Sequence, residues 1–204
     1  KLTSYELGVK LALLQRSLQV NMSGFYYDYR DIQTFKRSTV GFIPIQILGN
    51  VDEATIMGID ADVAWRPTQD LTLQAAIGIL DSELGEFVNA AGVVQNGNQM
   101  PNAPKFSFKG SASYDVHLPN DYVAQITFQP SHATSAFRDS ENTQIAKTPG
   151  YWSYDGNIRL SSAGSDWTFS VWGKNLTDER YLTQVIDLTG LGFGTKIYSA
   201  TRTF

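Results

Sequence analysis

Several residues in this chain are of types that do chemistry, and their spacing decides what each can do. Asp60 and Asp62 share one parity, and Asp52 shares it too. Two facing carboxylates are what glycoside hydrolysis requires. The same acids would serve as the lining of a wet, polar lumen, paired with Lys105, Lys109 or Arg66, and the sequence favours that reading. His117 and His132 have the chemistry of a base or of metal ligands, and Ser113 or Ser131 that of a nucleophile. No motif ties these four together. Gly190-Leu191-Gly192-Phe193-Gly194 has the composition of a phosphate-cradling loop, but a strand pattern follows it where a helix is needed, so a hairpin or loop role fits better. Asn175-Leu176-Thr177 matches a glycosylation sequon. The absence of Cys removes thiol nucleophiles and Cys-ligated zinc. The expectation is a chain with no catalytic residue, no metal site and no cofactor. Candidate ligand contacts are the amides Asn89, Gln95, Asn96, Asn98, Asn142 and Gln144. They sit in two long connections and suit a polar ligand, against the competing reading of ordinary loop polarity.

The elements that carry these residues follow from composition and periodicity. The 204 residues would fit one large domain or two small ones. Charged residues are 18%, below the roughly 25% of an ordinary soluble domain, and aromatics reach 12%. That balance argues against a coiled coil or a disordered tail. A net charge of −4 supplies no basic footprint for nucleic acid. The longest purely apolar run, Leu11 to Leu14, is far short of the 18 or so residues of a membrane helix. The mean hydropathy of −0.21 has the value of a soluble protein, yet a membrane β-barrel hides its apolar face in alternation. The chain opens on Lys1 without Met or signal peptide, which reads as a mature product or a fragment.

Alternation is what the chain shows. From Lys105 to Leu118 the odd positions are polar and the even ones apolar or small, a period of two over fourteen residues. Leu71–Ile79, Thr55–Trp65, Tyr151–Leu160 and Tyr5–Leu13 repeat the pattern. Turn signals cut the chain into nine strands at about 3–14, 18–36, 51–67, 70–83, 104–118, 121–137, 151–162, 166–180 and 193–204. Short connections at 15–17, 67–69, 119–120 and 163–165 alternate with long ones at about 37–50, 84–103, 138–150 and 181–192. That asymmetry is expected of an antiparallel up-and-down β-barrel crossing an outer membrane, and not of a Greek-key sandwich. Trp65, Trp152 and Trp167 fall near strand ends, where an aromatic girdle would sit. Nine is an odd number, and a barrel has no free edge in lipid. The chain therefore reads as residues 1–204 of a larger sheet, the C-terminal part of a 22-stranded barrel of about 500 residues.

The order of local motifs resembles that family of 22-stranded barrels known as TonB-dependent outer-membrane receptors. Ser4-Tyr5-Glu6-Leu7-Gly8-Val9-Lys10 is similar to its SYELGxK strand, and Gly58-Ile59-Asp60-Ala61-Asp62 to its GxExE/D strand. Phe25-Tyr26-Tyr27-Asp28-Tyr29 with Ile32-Gln33 also resembles the family, as does Pro101-Asn102-Ala103-Pro104-Lys105. Trp172-Gly173-Lys174-Asn175-Leu176-Thr177-Asp178-Glu179-Arg180-Tyr181 is close to the NLTDxxY signature of the penultimate strand. Phe204 resembles the C-terminal aromatic read by the barrel-assembly machinery, although Lys196 and Arg202 share its parity where the family more often has apolar residues. The resemblance implies a receptor in the Gram-negative outer membrane that binds a scarce extracellular small molecule, most commonly a metal chelate such as a ferric siderophore. It implies import through a plug domain and TonB box absent from these residues, with outer-membrane lipid and the TonB complex as partners. The alternatives are a smaller self-contained barrel with a structural or adhesive role, and a soluble β-sandwich binding module.

Overall fold

The computed structural model describes every residue except 42, 90–91, 163, 165 and 189–191, and the backbone alone at 36–40, 43–44, 46 and 188. Its strands are β1 (Leu2–Leu13), β2 (Leu18–Val40), β3 (Ile43–Trp65), β4 (Leu71–Leu84), β5 (Phe87–Val88), β6 (Val94–Gln95) and β7 (Phe106–His117). There follow β8 (Val123–Ala133), β9 (Ala136–Phe137), β10 (Lys147–Thr148), β11 (Tyr151–Ser161), β12 (Thr168–Gly173), β13 (Leu182–Leu188) and β14 (Phe193–Tyr198). Eight of them form one antiparallel meander in the order β1-β2-β3-β4-β7-β8-β11-β12. The β5–β6, β9–β10 and β13–β14 pairs are small hairpins carried by the long connections. Among the described residues there is no α-helix.

Register keeps like beside like. Ile59, Ile79 and Phe106 lie in one cross-strand row, and Ala61, Ile77, Phe108, His132 and Trp152 in the next. On the opposite face Lys10, Asn21, Asp62, Ala76, Lys109, Ser131 and Ser153 form a polar row. A slip of one residue would exchange the two faces, so this pairing is strongly specified. Nothing covers the apolar face among the described residues. Leu7 is 83% exposed, and Val9, Leu11, Leu13, Met22, Ile59 and Ile79 are exposed with it. An apolar surface of this extent is far beyond what a soluble monomer tolerates. The sandwich alternative needs a second sheet packed about 10 Å away on that face, and none is present among the described residues. The meander is instead a segment of barrel wall, with 11 or 12 residues in β1, β7, β8 and β11, long enough for a tilted crossing of a bilayer.

The short turns fall where alternation places them, at 14–17, 66–70 and 118–122. The short connection expected at 163–165 lies largely outside the described residues. Three expectations need correction. The stretch 37–50 is not a loop: β2 and β3 each run 23 residues and stay paired up to Val40 opposite Ile43. The strand expected over 166–180 is six residues long and ends at Gly173. The ninth strand expected over 193–204 is not in the wall. Its first half is β14, which pairs with β13 inside a long connection, and the chain returns to the wall only where Thr203 bridges Lys174. Alternation identifies a strand but is blind to its partner.

The packed core is small and lies at the long-connection end. Ile32, Val51, Ala54, Leu84 and Phe87 bury one another there, with Tyr29 and Met100 against them. Tyr29 and Ile32 are three apart on one strand, as are Val51 and Ala54 on the other, so an unbroken pleat would send each pair to opposite faces. The ladder breaks between Arg30–Glu53 and Ile32–Val51, where Asp31 takes a φ of +56°. That left-handed residue shifts the phase of the pleat and brings both parities into one cluster. Gly85 closes it from above: a Cβ there would stand 2.6 Å from the Glu53 side chain and 2.9 Å from its carbonyl oxygen, so only Gly fits.

The two faces make opposite demands on a new charge. Ile77→Arg, in the apolar row, should cost about 2–4 kcal/mol at mid-bilayer and sharply reduce heat-modifiable barrel in the membrane. Gln74→Arg, one row down on the polar face, should be tolerated. Equal yields of the two variants in outer-membrane fractions would count against the assignment of faces.

Candidate functional site: clasped outer connections above a polar wall

At the long-connection end, segments far apart in sequence are tied together by side-chain amides. The Asn142 side chain lies against the backbone of Gln99 like a short length of strand. Its Oδ1 accepts from the Gln99 N–H at 2.8 Å, and its Nδ2 donates to the Gln99 carbonyl at 2.8 Å. Asn98 Nδ2 donates to the Ser140 carbonyl at 2.9 Å and to Gln95 Oε1 at 2.6 Å. Arg138 donates through Nη1 to Asn102 Oδ1 at 2.6 Å and through Nε to the Leu182 carbonyl at 3.0 Å. Ser140, buried, donates from Oγ to the Phe35 carbonyl at 2.9 Å, which joins this layer to the long β2–β3 hairpin. Asp139 holds the turn beneath, accepting from the Thr143 N–H and hydroxyl at 3.0 and 2.5 Å. The connections at 84–103 and 138–150 are thus one layer, anchored at both flanks.

This layer sorts the six candidate amides. Asn98 and Asn142 spend their groups within it, and Gln95 serves Asn98. Asn89 Oδ1 accepts from the Val93 N–H at 3.0 Å and closes the β5–β6 turn. Asn96 and Gln144 are exposed and make no side-chain hydrogen bond among the described residues. Those two are the amides free to meet a ligand. Ser140, Arg138 and Asp139 were not singled out by sequence, because a hydroxyl, a guanidinium and a carboxylate in a loop carry no periodic signal.

Below the layer, the polar wall holds an open cleft of about 610 Å³ lined by Asp60, Asp62, Lys109, Ser131, Ser153 and Asp155. Tyr151 and Tyr181 close its upper end as a parallel stack, ring centroids 3.8 Å apart and planes within 5°. Asp60 and Asp62 therefore line a shared polar surface with Lys109, as expected. The partner expected for them at Lys105 is elsewhere: its Nζ lies 2.9 Å from Asp81. Arg66 lies at the short-turn end, in a second cleft with Arg16. Asp52 is exposed on the hairpin above the phase shift.

Among the described residues, no His is brought to Ser113 or Ser131. His117 meets Asp70 at 2.8 Å at the short-turn end. His132 is at the other end of the same strand pair, stacked on Trp152 at 4.5 Å with Nδ1 2.6 Å from the Tyr151 carbonyl. Ser113 shares a hydrogen bond with Thr127 at 3.0 Å, and Ser131 donates to the Ser153 carbonyl at 3.4 Å. No group of three or more His, Asp or Glu among the described residues could hold a metal ion. The sequon Asn175 is consumed by a turn, its Oδ1 accepting from the Glu179 N–H at 2.8 Å and its Nδ2 donating to the Glu179 and Ala200 carbonyls. Of the Gly-rich stretch, residues 190 and 191 lie outside the described residues, and Phe193 and Gly194 open β14.

A two-faced meander with short turns at one end and a clasped layer at the other is the wall of a membrane β-barrel. The chain belongs to the TonB dependent receptor-like, beta-barrel family, whose model matches residues 1–176. It is 27% identical over 194 residues to the siderophore receptor PiuA of Acinetobacter baumannii, covering 89% of this chain and 23% of PiuA. It is 28% identical over 177 residues to the metal-pseudopaline receptor CntO of Pseudomonas aeruginosa, covering 87% of this chain and 23% of CntO. The chain thus spans about a quarter of the relatives it matches. Its fold is that of the ferric yersiniabactin uptake receptor FyuA of Yersinia pestis, with a TM-score of 0.79 at 17% identity over 98% of this chain and 28% of FyuA. The crystal structure of PiuA superposes with a TM-score of 0.74 at 23% identity, over 98% of this chain and 27% of that one. The family is one of transport receptors in the Gram-negative outer membrane, and not a class of enzymes.

The clasp makes a separate prediction. Asn142→Ala removes both bonds to Gln99, about 1–3 kcal/mol of local stability at 0.5–1.5 kcal/mol each. Amide exchange should then accelerate in 95–100 as well as in 138–146, while the wall strands stay protected. Acceleration confined to 138–146 would show that the two connections are independent.

Proposed function

We propose that this chain is wall and outer layer from the C-terminal part of the barrel of an outer-membrane transport receptor. The receptor captures an extracellular metal chelate, a ferric siderophore in the first instance, and imports it with energy delivered by TonB. The observation that carries this reading is the family match over residues 1–176 together with relatives that are receptors for siderophores and a metal-pseudopaline complex. The clasped layer supports it, because a ligand contact is effective when its groups are held in place before binding. Asn96 and Gln144 project from that layer with free amides. In this reading the exposed apolar face meets outer-membrane lipid, and the polar wall faces the lumen. The plug and TonB box through which TonB would act, and the assembly machinery that would insert the barrel, are partners of the whole receptor.

Uptake by the full-length receptor tests the proposal. In a strain lacking its own siderophore receptors, the gene should restore accumulation of iron from at least one of a panel of ferric catecholate, hydroxamate and carboxylate chelates, and only with TonB present. Replacing Asn96 and Gln144 together with Ala should weaken binding of that chelate about tenfold, as expected for two lost hydrogen bonds, with unchanged receptor abundance. No uptake or binding of any chelate in the panel would overturn the siderophore reading.

A further inference from the structure

The cleft at the short-turn end has a lining of its own kind. It encloses about 630 Å³ and is lined by two arginines, Arg16 and Arg66, and four glutamines, Gln15, Gln19, Gln69 and Gln74. No Asp or Glu lines it, in a chain that has 20 acids to 16 bases. Among the described residues, the side chains of these six make no hydrogen bond, and neither guanidinium has an ion pair. The cleft therefore offers donors and positive charge, and nothing in it neutralises them.

Backbone geometry brings the two arginines to one place. The turn between β1 and β2 has three successive left-handed residues, Leu14, Gln15 and Arg16, with φ of +51°, +56° and +70°. Glycine adopts that conformation without penalty, so Gln15 and Arg16 stand where local geometry disfavours a side chain. The Arg66 N–H donates to the Ser17 carbonyl at 2.8 Å, which ties the next short turn to this one. Arg16 and Arg66 are thus held on neighbouring turns over a shared cleft. Like charges gathered without a carboxylate repel one another, and an anion between them turns repulsion into attraction.

The floor of the cleft belongs to the polar face. Gln19 pairs with Ala64, Ala64 with Gln74 and Gln74 with Ser111, one row of that face. Nearer the layer, the cleft on the same face carries Asp60, Asp62 and Asp155 against Lys109. A negative ligand is therefore disfavoured beside the upper cleft and favoured beside the lower one, a field that draws it toward the short turns. We propose that Arg16 and Arg66 form an anion site at the exit of the lumen, which holds a small metal chelate of net negative charge as it leaves. The occupant rests on the import reading above, which puts the cleft in the path of the carried ligand. Its volume suits a small molecule, and guanidinium forks recognise paired oxygens such as those of a carboxylate. A ferric catecholate or carboxylate fits this site, and a neutral ferric hydroxamate does not.

The full-length receptor tests the site first without transport. Phenylglyoxal, which modifies free guanidiniums, should label both Arg16 and Arg66 in the purified receptor, as read by peptide mass spectrometry. Citrate at a few times its dissociation constant should slow labelling of both about fivefold. It should leave Arg159 unchanged, which lies on the same face in the Asp115–Gln125 row, away from the cleft. Equal protection of all three would be general screening of charge and would overturn the site. So would protection of one arginine alone, or no labelling without citrate, since protein would then cover the cleft. Transport tests the occupant. Arg16→Gln combined with Arg66→Gln should slow uptake of a ferric catecholate or carboxylate about tenfold or more, with its binding at the cell surface unchanged. An unchanged rate, an equal loss of surface binding, or carriage of neutral chelates alone would overturn the exit role. If the unaltered receptor takes up no chelate, the import reading falls, and the labelling result still decides whether the anion site exists.

Discussion

A backbone N–H or C=O in hydrocarbon must find its partner within the protein, because there is no water to supply one. The rest of this structure depends on that constraint. It makes the wall a continuous antiparallel ladder and keeps the turns at one end as short as they can be. It allows irregular backbone only above the bilayer, where the small hairpins and the clasped layer are found. It also explains the scarcity of a conventional core. The sheet is a boundary between two solvents, lipid on one side and water on the other, and packing of side chain on side chain is needed only where the connections fold over.

That division accounts for what was legible in the sequence. The alternation over Lys105–Leu118 became β7, and the strands around it took the registers that keep its two faces consistent. The acids Asp60 and Asp62 were readable as lining because their parity alone places them on the polar face. The clasp was not readable. Asn142 meets Gln99 across 43 residues, and a side-chain amide that pairs with backbone has no spacing rule to betray it. The hairpin at 37–50 was missed because its turn and apolar content resemble a loop, and β14 was assigned to the wall because period two does not say which neighbour a strand takes. Lys105 was expected to pair with Asp60 or Asp62 and instead meets Asp81, which lies opposite Met57 in the wall strand β4.

Chemistry and mechanics are divided along the same line. Several residues with reactive side chains stand in the wall as isolated local partners, each meeting a neighbour. His117 with Asp70 and Ser113 with Thr127 are examples. The amides in the layer act collectively. A layer of this kind presents its free groups in a fixed arrangement and gives up conformational freedom in advance of any ligand, which is how modest polar contacts become selective.

The left-handed Asp31 has a consequence for how such proteins are read. A strand that contains one residue of this kind carries two alternation phases joined end to end. Averaged over its whole length the period-two signal weakens, and β2 looks irregular. The many rings between Phe25 and Tyr29 reinforce that impression from just below the break. In barrels with tall hairpins, an Asp or Asn in mid-strand is therefore better treated as a change of phase than as the end of a strand.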